Sequence, residues 1–111
     1  MKIRELLVEA KKSYENMKYD DAVLYLETVL EMDENNYEAL VLLVRIYSGA
    51  GFFKVALRYC EKAYKHYFKD TLILFNMGYI NQSLNKPKKA IFYYKEYLKI
   101  EKDYHVILNI G

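Results

Sequence analysis

Apolar side chains recur along the chain every three or four residues, in runs separated by short polar or glycine-containing stretches. This spacing is typical of helices with one buried face. The runs predict six helices, over residues 3–16, 19–32, 37–48, 52–66, 71–84 and 87–100. Glycine and proline are scarce, which favours helices over a fold of strands and turns. The pattern therefore predicts an all-α protein.

Three small residues mark a repeat within this pattern. Ala22, Ala56 and Ala90 are 34 residues apart, and each lies early in an apolar, tyrosine-rich run. Self-similarity at this period is typical of stacked helical hairpins. A single hairpin is too short to bury enough surface, whereas three can share a continuous core. The period predicts one domain, residues 1–111, with hairpins over residues 3–36, 37–70 and 71–104.

The C-terminal residues begin the pattern again. Residues 107–111 resemble residues 74–78, which predicts a partial fourth repeat or a capping helix over residues 104–111. Repeat arrays need polar ends. This end would be a poor one, because it carries Val106, Ile107, Leu108 and Ile110. Self-association through the C-terminal face is therefore an alternative function.

The helical spacing also predicts the interior. Besides the three marker alanines, the residues expected to face inwards include Leu6, Ala10, Leu26, Leu40, Leu43, Cys60, Leu74, Met77, Gly78, Tyr94, Tyr97 and Leu98. The single cysteine allows no internal disulfide and is expected to be a small core residue. A chain with only one cysteine agrees with a reducing, cytoplasmic location.

The residues give little support to catalysis or to cofactor binding. Cys60 and His66 are six positions apart, which places them on different faces of one helix, and no acid completes a triad. With two histidines and one cysteine there is no cluster at metal-ligand spacing. His105 falls in the partial repeat and could reach the inner surface of the array. No apolar run approaches the ~20 residues of a membrane span. We expect a non-enzymatic protein without cofactor or metal.

Charge is distributed unevenly although the net charge is only +2. The first repeat carries −5, and the second and third carry +3 each. On the outer helices Lys54 and Lys65 match Lys88 and Lys99, where the first repeat has Asp20 and Glu31. This face is expected to be solvated. There are two alternatives: a charge-matched contact between molecules, in which opposite charges face each other, or contact of a basic strip with nucleic acid. Nucleic acid is the remote one, because the tyrosines of this face are better explained by repeat packing.

Preferred residue types stand at fixed positions of each period. They are Leu6, Ala10, Tyr19, Ala22, Leu26 and Leu30, then Leu40, Leu43, Tyr47, Gly51, Phe53, Ala56 and Ala63, then Leu74, Met77, Gly78, Ala90, Tyr94 and Leu98. In this register the chain resembles the tetratricopeptide repeat (TPR) family. The proline usual late in that repeat is missing, and Glu34, Phe68 and Lys102 stand in its place.

The resemblance implies a right-handed α-solenoid of antiparallel helix hairpins. In that family the first helix of each hairpin lines a concave groove that binds proteins. The corresponding groove residues here are Leu7, Lys11, Tyr14, Val41, Arg45, Ser48, Phe75, Tyr79 and Gln82. Apolar side chains with cations among them suit a peptide or helix that has apolar anchors and some acidic residues. We therefore predict a scaffold for protein–protein interaction.

Overall fold

The computed structural model describes the backbone of residues 1–110 and the side chains of residues 1–102. Six helices follow one another: α1 (Ile3–Glu15), α2 (Tyr19–Met32), α3 (Tyr37–Gly49), α4 (Phe53–His66), α5 (Thr71–Ser83) and α6 (Pro87–Ile110). No strand occurs within residues 1–110. The predicted all-α class is confirmed, and the first five helices begin and end close to the predicted positions.

The helices pack as a stack of antiparallel hairpins. Within each hairpin α1 packs on α2, α3 on α4 and α5 on α6. Between hairpins α2 packs on α3 and α4 on α5, and α3 also contacts α5. Contact between α3 and α5 places first helices side by side on one surface of the stack. The architecture is therefore that of a helical solenoid.

The three turns within the hairpins have the same geometry at intervals of one repeat. Met17, Gly51 and Asn85 have positive φ angles of 61°, 84° and 60°. Each of their amides donates to the carbonyl three residues earlier, at 3.0–3.1 Å. The next amide donates to the carbonyl five residues earlier, at 2.8–2.9 Å. A left-handed residue after a helix satisfies its last carbonyls in this way.

Met17 occupies a backbone conformation that only glycine adopts without steric cost. Its side chain is 76% exposed, so its removal loses little packing. We expect Met17→Gly to raise the free energy of unfolding by about 0.5–1 kcal/mol, because a left-handed L-residue costs ~1 kcal/mol or more. Urea denaturation measures the change. Met17→Ala is the matched control: it shortens the side chain but keeps the strain, so an equal gain from it would contradict the explanation.

The turns between hairpins also repeat. Asn36 and Asp70 precede α3 and α5, and each side chain accepts a hydrogen bond from the amide three residues later, Ala39 or Ile73, at 3.0 Å. Side-chain caps of this kind satisfy a donor that the helix leaves unpaired. Asn36 and Asp70 are thus equivalent caps, 34 residues apart.

Two clusters of buried apolar residues form a continuous core. The first joins the first hairpin to α3, and the second joins α3 and α4 to α5. Leu30, Tyr47 and Tyr59 pack against both clusters and connect them. The three marker alanines have equivalent places: they are 0%, 0% and 3% exposed, and each amide donates to the carbonyl four residues earlier at 3.0 Å.

Leu98 is a correction to the predicted interior, because 61% of its surface is exposed. At the equivalent positions of the earlier hairpins, Leu30 and Tyr64 are half-buried and pack into the core. A next hairpin covers each of those two residues, and within the described residues none follows α6. Position in the stack, not residue type, decides the exposure of Leu98.

The sixth helix is also longer than the pattern predicted. It continues past Ile100 to Ile110 without a break. Neither glycine nor proline occurs between Lys88 and Ile110, so no residue in this stretch ends the helix. The side chains of residues 103–111, including His105 and the four apolar residues of the C-terminal end, lie outside the described residues. A fourth repeat or cap over 104–111 stays a prediction.

Candidate partner-binding groove

A groove of about 330 Å³ runs between α1 and α3. Five of the nine predicted groove residues line it: Leu7, Lys11 and Tyr14 from α1, and Val41 and Arg45 from α3. They come together because residues three or four apart share one face of a helix. The lining also includes Glu15, Tyr37, Glu38 and Leu42, which were not among the nine.

The charges in this groove are more balanced than the predicted residues alone indicate. Lys11 Nζ lies 3.0 Å from Glu38 Oε2, so an ion pair bridges the two helices across the groove. Both side chains are more than half exposed, and such a pair contributes little stability. No ion-pair partner is found for Arg45 within residues 1–102. Arg45 is therefore the cation that an acidic group on a partner could approach without displacing another carboxylate.

One end of the groove is held by contacts of Tyr37 and Tyr67, which lie near the two ends of the second repeat. The hydroxyl of Tyr37 donates to Asp70 Oδ2 at 2.8 Å, and its ring packs edge-on against Tyr67 at 5.0 Å between centroids. Tyr67 in turn donates to the carbonyl of Asn35 at 2.9 Å. Burial, and then the hydrogen bond to Asp70, raise the pKa of Tyr37 to about 12. These contacts fix α3 relative to the start of α5.

Of the four remaining predicted groove residues, Phe75, Tyr79 and Gln82 lie on α5 and Ser48 lies near the end of α3, and none of them lines this groove. Phe75 and Tyr79 are 46% and 43% exposed. Both side chains pack against neighbouring aromatic rings. Between ring centroids, Phe75 lies 5.8 Å from Tyr94 and 5.6 Å from Tyr97, and Tyr79 lies 6.0 Å from Phe53. No Asp, Glu, Lys or Arg occurs in α5. This part of the surface is therefore aromatic and uncharged.

The polar groups of Gln82 and Ser48 are less available to a binding partner than those of their neighbours. Gln82 is exposed, but its Oε1 accepts a hydrogen bond from the hydroxyl of Tyr94 at 3.0 Å. The Ser48 hydroxyl oxygen is buried and has no hydrogen-bond partner among the described residues. Ser48 is therefore placed beside the row of groove residues, but its hydroxyl does not reach solvent.

Comparison with known families supplies the remaining evidence. Residues 2–100 match a protein family described as "N-acetyltransferase B complex (NatB) non catalytic subunit". The chain belongs to this family. No curated protein matches the chain. The description names a subunit that is not the catalytic one. A subunit of a complex acts through contacts with other proteins, which agrees with an exposed groove on a helical stack.

The potentially reactive groups of this NatB-family chain lie apart from one another. Cys60 is fully buried, its thiol lies 3.8 Å from the carbonyl oxygen of Ile73, and burial raises its pKa to about 12. His66 is exposed near the end of the same helix. Among residues 1–102 no three His, Cys, Asp or Glu side chains stand close enough to hold a metal ion. In the same part of the chain no helix is both long and apolar enough to cross a bilayer.

The sequence pattern predicted neither the ion pair between Lys11 and Glu38 nor the presence of Tyr37 and Leu42 in the groove lining. Tyr37 is the first residue of its repeat, and its role depends on Asp70, 33 residues later. A signal was present, since Tyr37 and Asp70 begin and end the same 34-residue unit. Spacing along one helix does not reveal a pairing between the two ends of a hairpin.

Proposed function

We propose that this chain is a non-enzymatic scaffold of TPR repeats, spanning residues 3–36, 37–70 and 71–104. It binds a peptide or helix of a partner protein along the surface formed by α1, α3 and α5. The observation that carries this proposal is the groove between α1 and α3, continued by exposed aromatic rings on α5. The equivalent turns at Met17, Gly51 and Asn85 support the repeat boundaries.

The chemistry of this surface changes along its length, and the partner is expected to match it. Over α1 and α3 the groove offers Leu7 and Val41 beside Arg45, which suits an apolar anchor with an acidic neighbour. Over α5 the surface offers Phe75 and Tyr79 without any charged residue, which suits apolar side chains alone. Tyrosine and arginine are the residue types that most often contribute interface energy.

The family description favours one kind of partner. It places the family in an N-acetyltransferase B complex as a non-catalytic subunit. We infer that the partner is another subunit of such a complex, the catalytic one being the first candidate to test. In this arrangement the chain itself performs no chemistry and instead positions the subunit that does.

Replacing Arg45 and Tyr79 together by alanine is expected to weaken binding of a co-expressed NatB catalytic subunit by about tenfold or more. Interface arginines and tyrosines each contribute on the order of 1–2 kcal/mol, and 1.4 kcal/mol corresponds to tenfold. Isothermal titration calorimetry measures the dissociation constant. Circular dichroism checks that helix content is unchanged, as expected for two exposed side chains.

The matched control replaces one arginine and one aromatic residue outside the groove, Arg58→Ala and Phe68→Ala. Both residues are exposed, and neither lies on α1, α3 or α5. The control variant is expected to bind as tightly as the unmodified chain. Equal affinity of the groove variant and the unmodified chain would contradict the groove assignment, whatever the partner.

A further inference from the structure

The exposed faces of α2 and α6 carry opposite charges at equivalent positions of the repeat. On α2 the residues Asp20, Asp21, Glu27 and Glu31 are all exposed. Two repeat lengths later, 68 residues on, α6 carries Lys88, Lys89, Lys95 and Lys99, again all exposed. Every one of the four acidic positions is thus replaced by lysine. Reversal at four positions out of four gives two surfaces of the same shape and opposite sign.

Each set of charges surrounds an exposed apolar residue at its centre. Leu24 on α2 is 65% exposed, and the equivalent Phe92 on α6 is 52% exposed. We call Asp20, Asp21, Leu24, Glu27 and Glu31 the acidic face, and Lys88, Lys89, Phe92, Lys95 and Lys99 the basic face. An apolar centre with a charged rim is the usual anatomy of a protein–protein contact.

The middle helix does not share this arrangement. At the same positions α4 carries Lys54, Val55, Arg58, Glu61 and Lys65. Its charges are of both signs, and its central residue is an arginine. The repeat scaffold therefore does not itself require a uniform charge or an apolar centre on this face. The two outer hairpins differ from the middle one in the same respect and with opposite sign.

Two lysines of the basic face also stand where the helix disfavours them. Lys88 and Lys89 lie in the first turn of α6, which contains no acidic residue. The amino end of a helix carries partial positive charge, so cations there are unfavourable and acids are favourable. Asp20 and Asp21 at the equivalent positions of α2 follow that rule. Stability of α6 thus does not account for its two lysines, whereas contact with an acidic surface does.

We propose that the basic face of one molecule binds the acidic face of a second copy of this chain. With α2 and α6 side by side and parallel, Leu24 meets Phe92 of the second copy, and each acid lies opposite a lysine. The two faces belong to the first and third hairpins, so the contact is heterologous and leaves one acidic and one basic face free. Molecules therefore join head to tail into short chains.

Some of these side chains already have weak contacts within their own molecule. Lys99 lies 3.7 Å from Glu96, and Glu27 accepts a long hydrogen bond of 3.5 Å from Tyr59. Exposed ion pairs contribute little individually and are screened by salt. Association is therefore expected to be weak, detectable as protein concentration approaches ~1 mM, and to fall steeply with added salt.

Sedimentation velocity on the unmodified chain and on two double variants tests the proposal. Asp20→Lys with Glu31→Lys makes the acidic face repulsive towards the basic face, and Lys88→Glu with Lys99→Glu, at the two equivalent positions, does the reverse. Each variant alone is expected to associate at least about tenfold more weakly than the unmodified chain, because like charges then face each other. An equimolar mixture of the two variants is expected to recover association, because each face again meets its opposite.

Lys54→Glu with Lys65→Glu is the control, because it reverses two lysines at equivalent positions of α4. It is expected to leave association unchanged. A chain that stays monomeric at ~1 mM and low salt overturns the proposal. So does association that both variants leave intact, which would instead assign the contact to the apolar C-terminal end. If a variant fails to fold by circular dichroism, the salt dependence and Leu24→Ser decide: association insensitive to both overturns the proposal.

Discussion

Replacing Gly78 by valine is expected to lower the free energy of unfolding by about 2–3 kcal/mol. A Cβ atom at Gly78 would lie 2.5 Å from Cε1 and 2.6 Å from Cδ1 of Tyr94. Carbon atoms that are not bonded to each other do not approach so closely, so the ring of Tyr94 must move. Its movement breaks the hydrogen bond to Gln82 and the contact with Phe75. Thermal and urea unfolding measure the loss.

The other hairpins indicate how to repair this variant. At the positions of Gly78 and Tyr94, the second hairpin has Val44 and Cys60, both buried in one cluster. The first hairpin has Ala10 and Leu26, again within one cluster. A larger residue on the first helix is thus matched by a smaller residue on the second. Gly78→Val combined with Tyr94→Cys copies the second hairpin and is expected to recover about 1 kcal/mol or more.

Tyr94→Cys alone is the necessary control for this pair. It removes the ring without filling the space, so it is expected to be destabilising by itself. If Gly78 and Tyr94 compete for the same space, the double variant must lose less unfolding free energy than the two single variants lose together. Strict additivity of the two losses would show that Gly78 and Tyr94 do not compete for the same space.

Replacing Asp70 by alanine is expected to cost about 2–3 kcal/mol of stability, for two separate reasons. Oδ1 of Asp70 caps α5 by accepting from the Ile73 amide at 3.0 Å, and loss of such a cap costs about 1 kcal/mol. Oδ2 accepts from the half-buried hydroxyl of Tyr37 at 2.8 Å, and leaving that hydroxyl unpaired costs ~1–2 kcal/mol more. Urea denaturation gives the total.

Two substitutions separate these contributions. Asp70→Asn keeps an amide oxygen able to cap α5, as Asn36 does for α3, and is expected to cost less than Asp70→Ala. Tyr37→Phe removes only the hydroxyl and its bond. If Asp70→Asn proved as damaging as Asp70→Ala, the cap would not be contributing.

The pKa of Tyr37 supplies an independent check on the same contact. In the folded chain it is raised from 10.0 to about 12, by burial and by the hydrogen bond to Asp70. The folded state therefore favours the protonated phenol. Its contribution is fully present below pH 10 and is lost as the pH rises towards 12. Tyr37→Phe is expected to make stability less dependent on pH in that range.

The candidate site was only partly predictable from sequence. The resemblance to TPR repeats placed Leu7, Lys11 and Tyr14 in one row with Val41 and Arg45, and all five line the groove between α1 and α3. Side chains three or four apart on one helix share a face, so each group of them stays together after folding. The ion pair between Lys11 and Glu38 joins two helices, and no local spacing predicts it. The buried hydroxyl of Ser48 likewise depends on surroundings from other parts of the stack.

The linear pattern by itself determined the helices and their register. Apolar periodicity sets where a helix forms, and a repeat of 34 residues sets equivalent turns at Met17, Gly51 and Asn85. Local backbone geometry and the burial of one face suffice for both. For this reason the first five helices and the equivalence of Ala22, Ala56 and Ala90 could be predicted.

Only the tertiary structure decided which equivalent residues have equivalent surroundings. Leu98 is exposed where Leu30 and Tyr64 are covered, because burial depends on a neighbouring hairpin. Tyr94 fills the space above Gly78, because interiors are close-packed and each pair must fit its own gap. Such contacts join residues distant in sequence, and their energies depend on distances that a one-dimensional pattern does not contain.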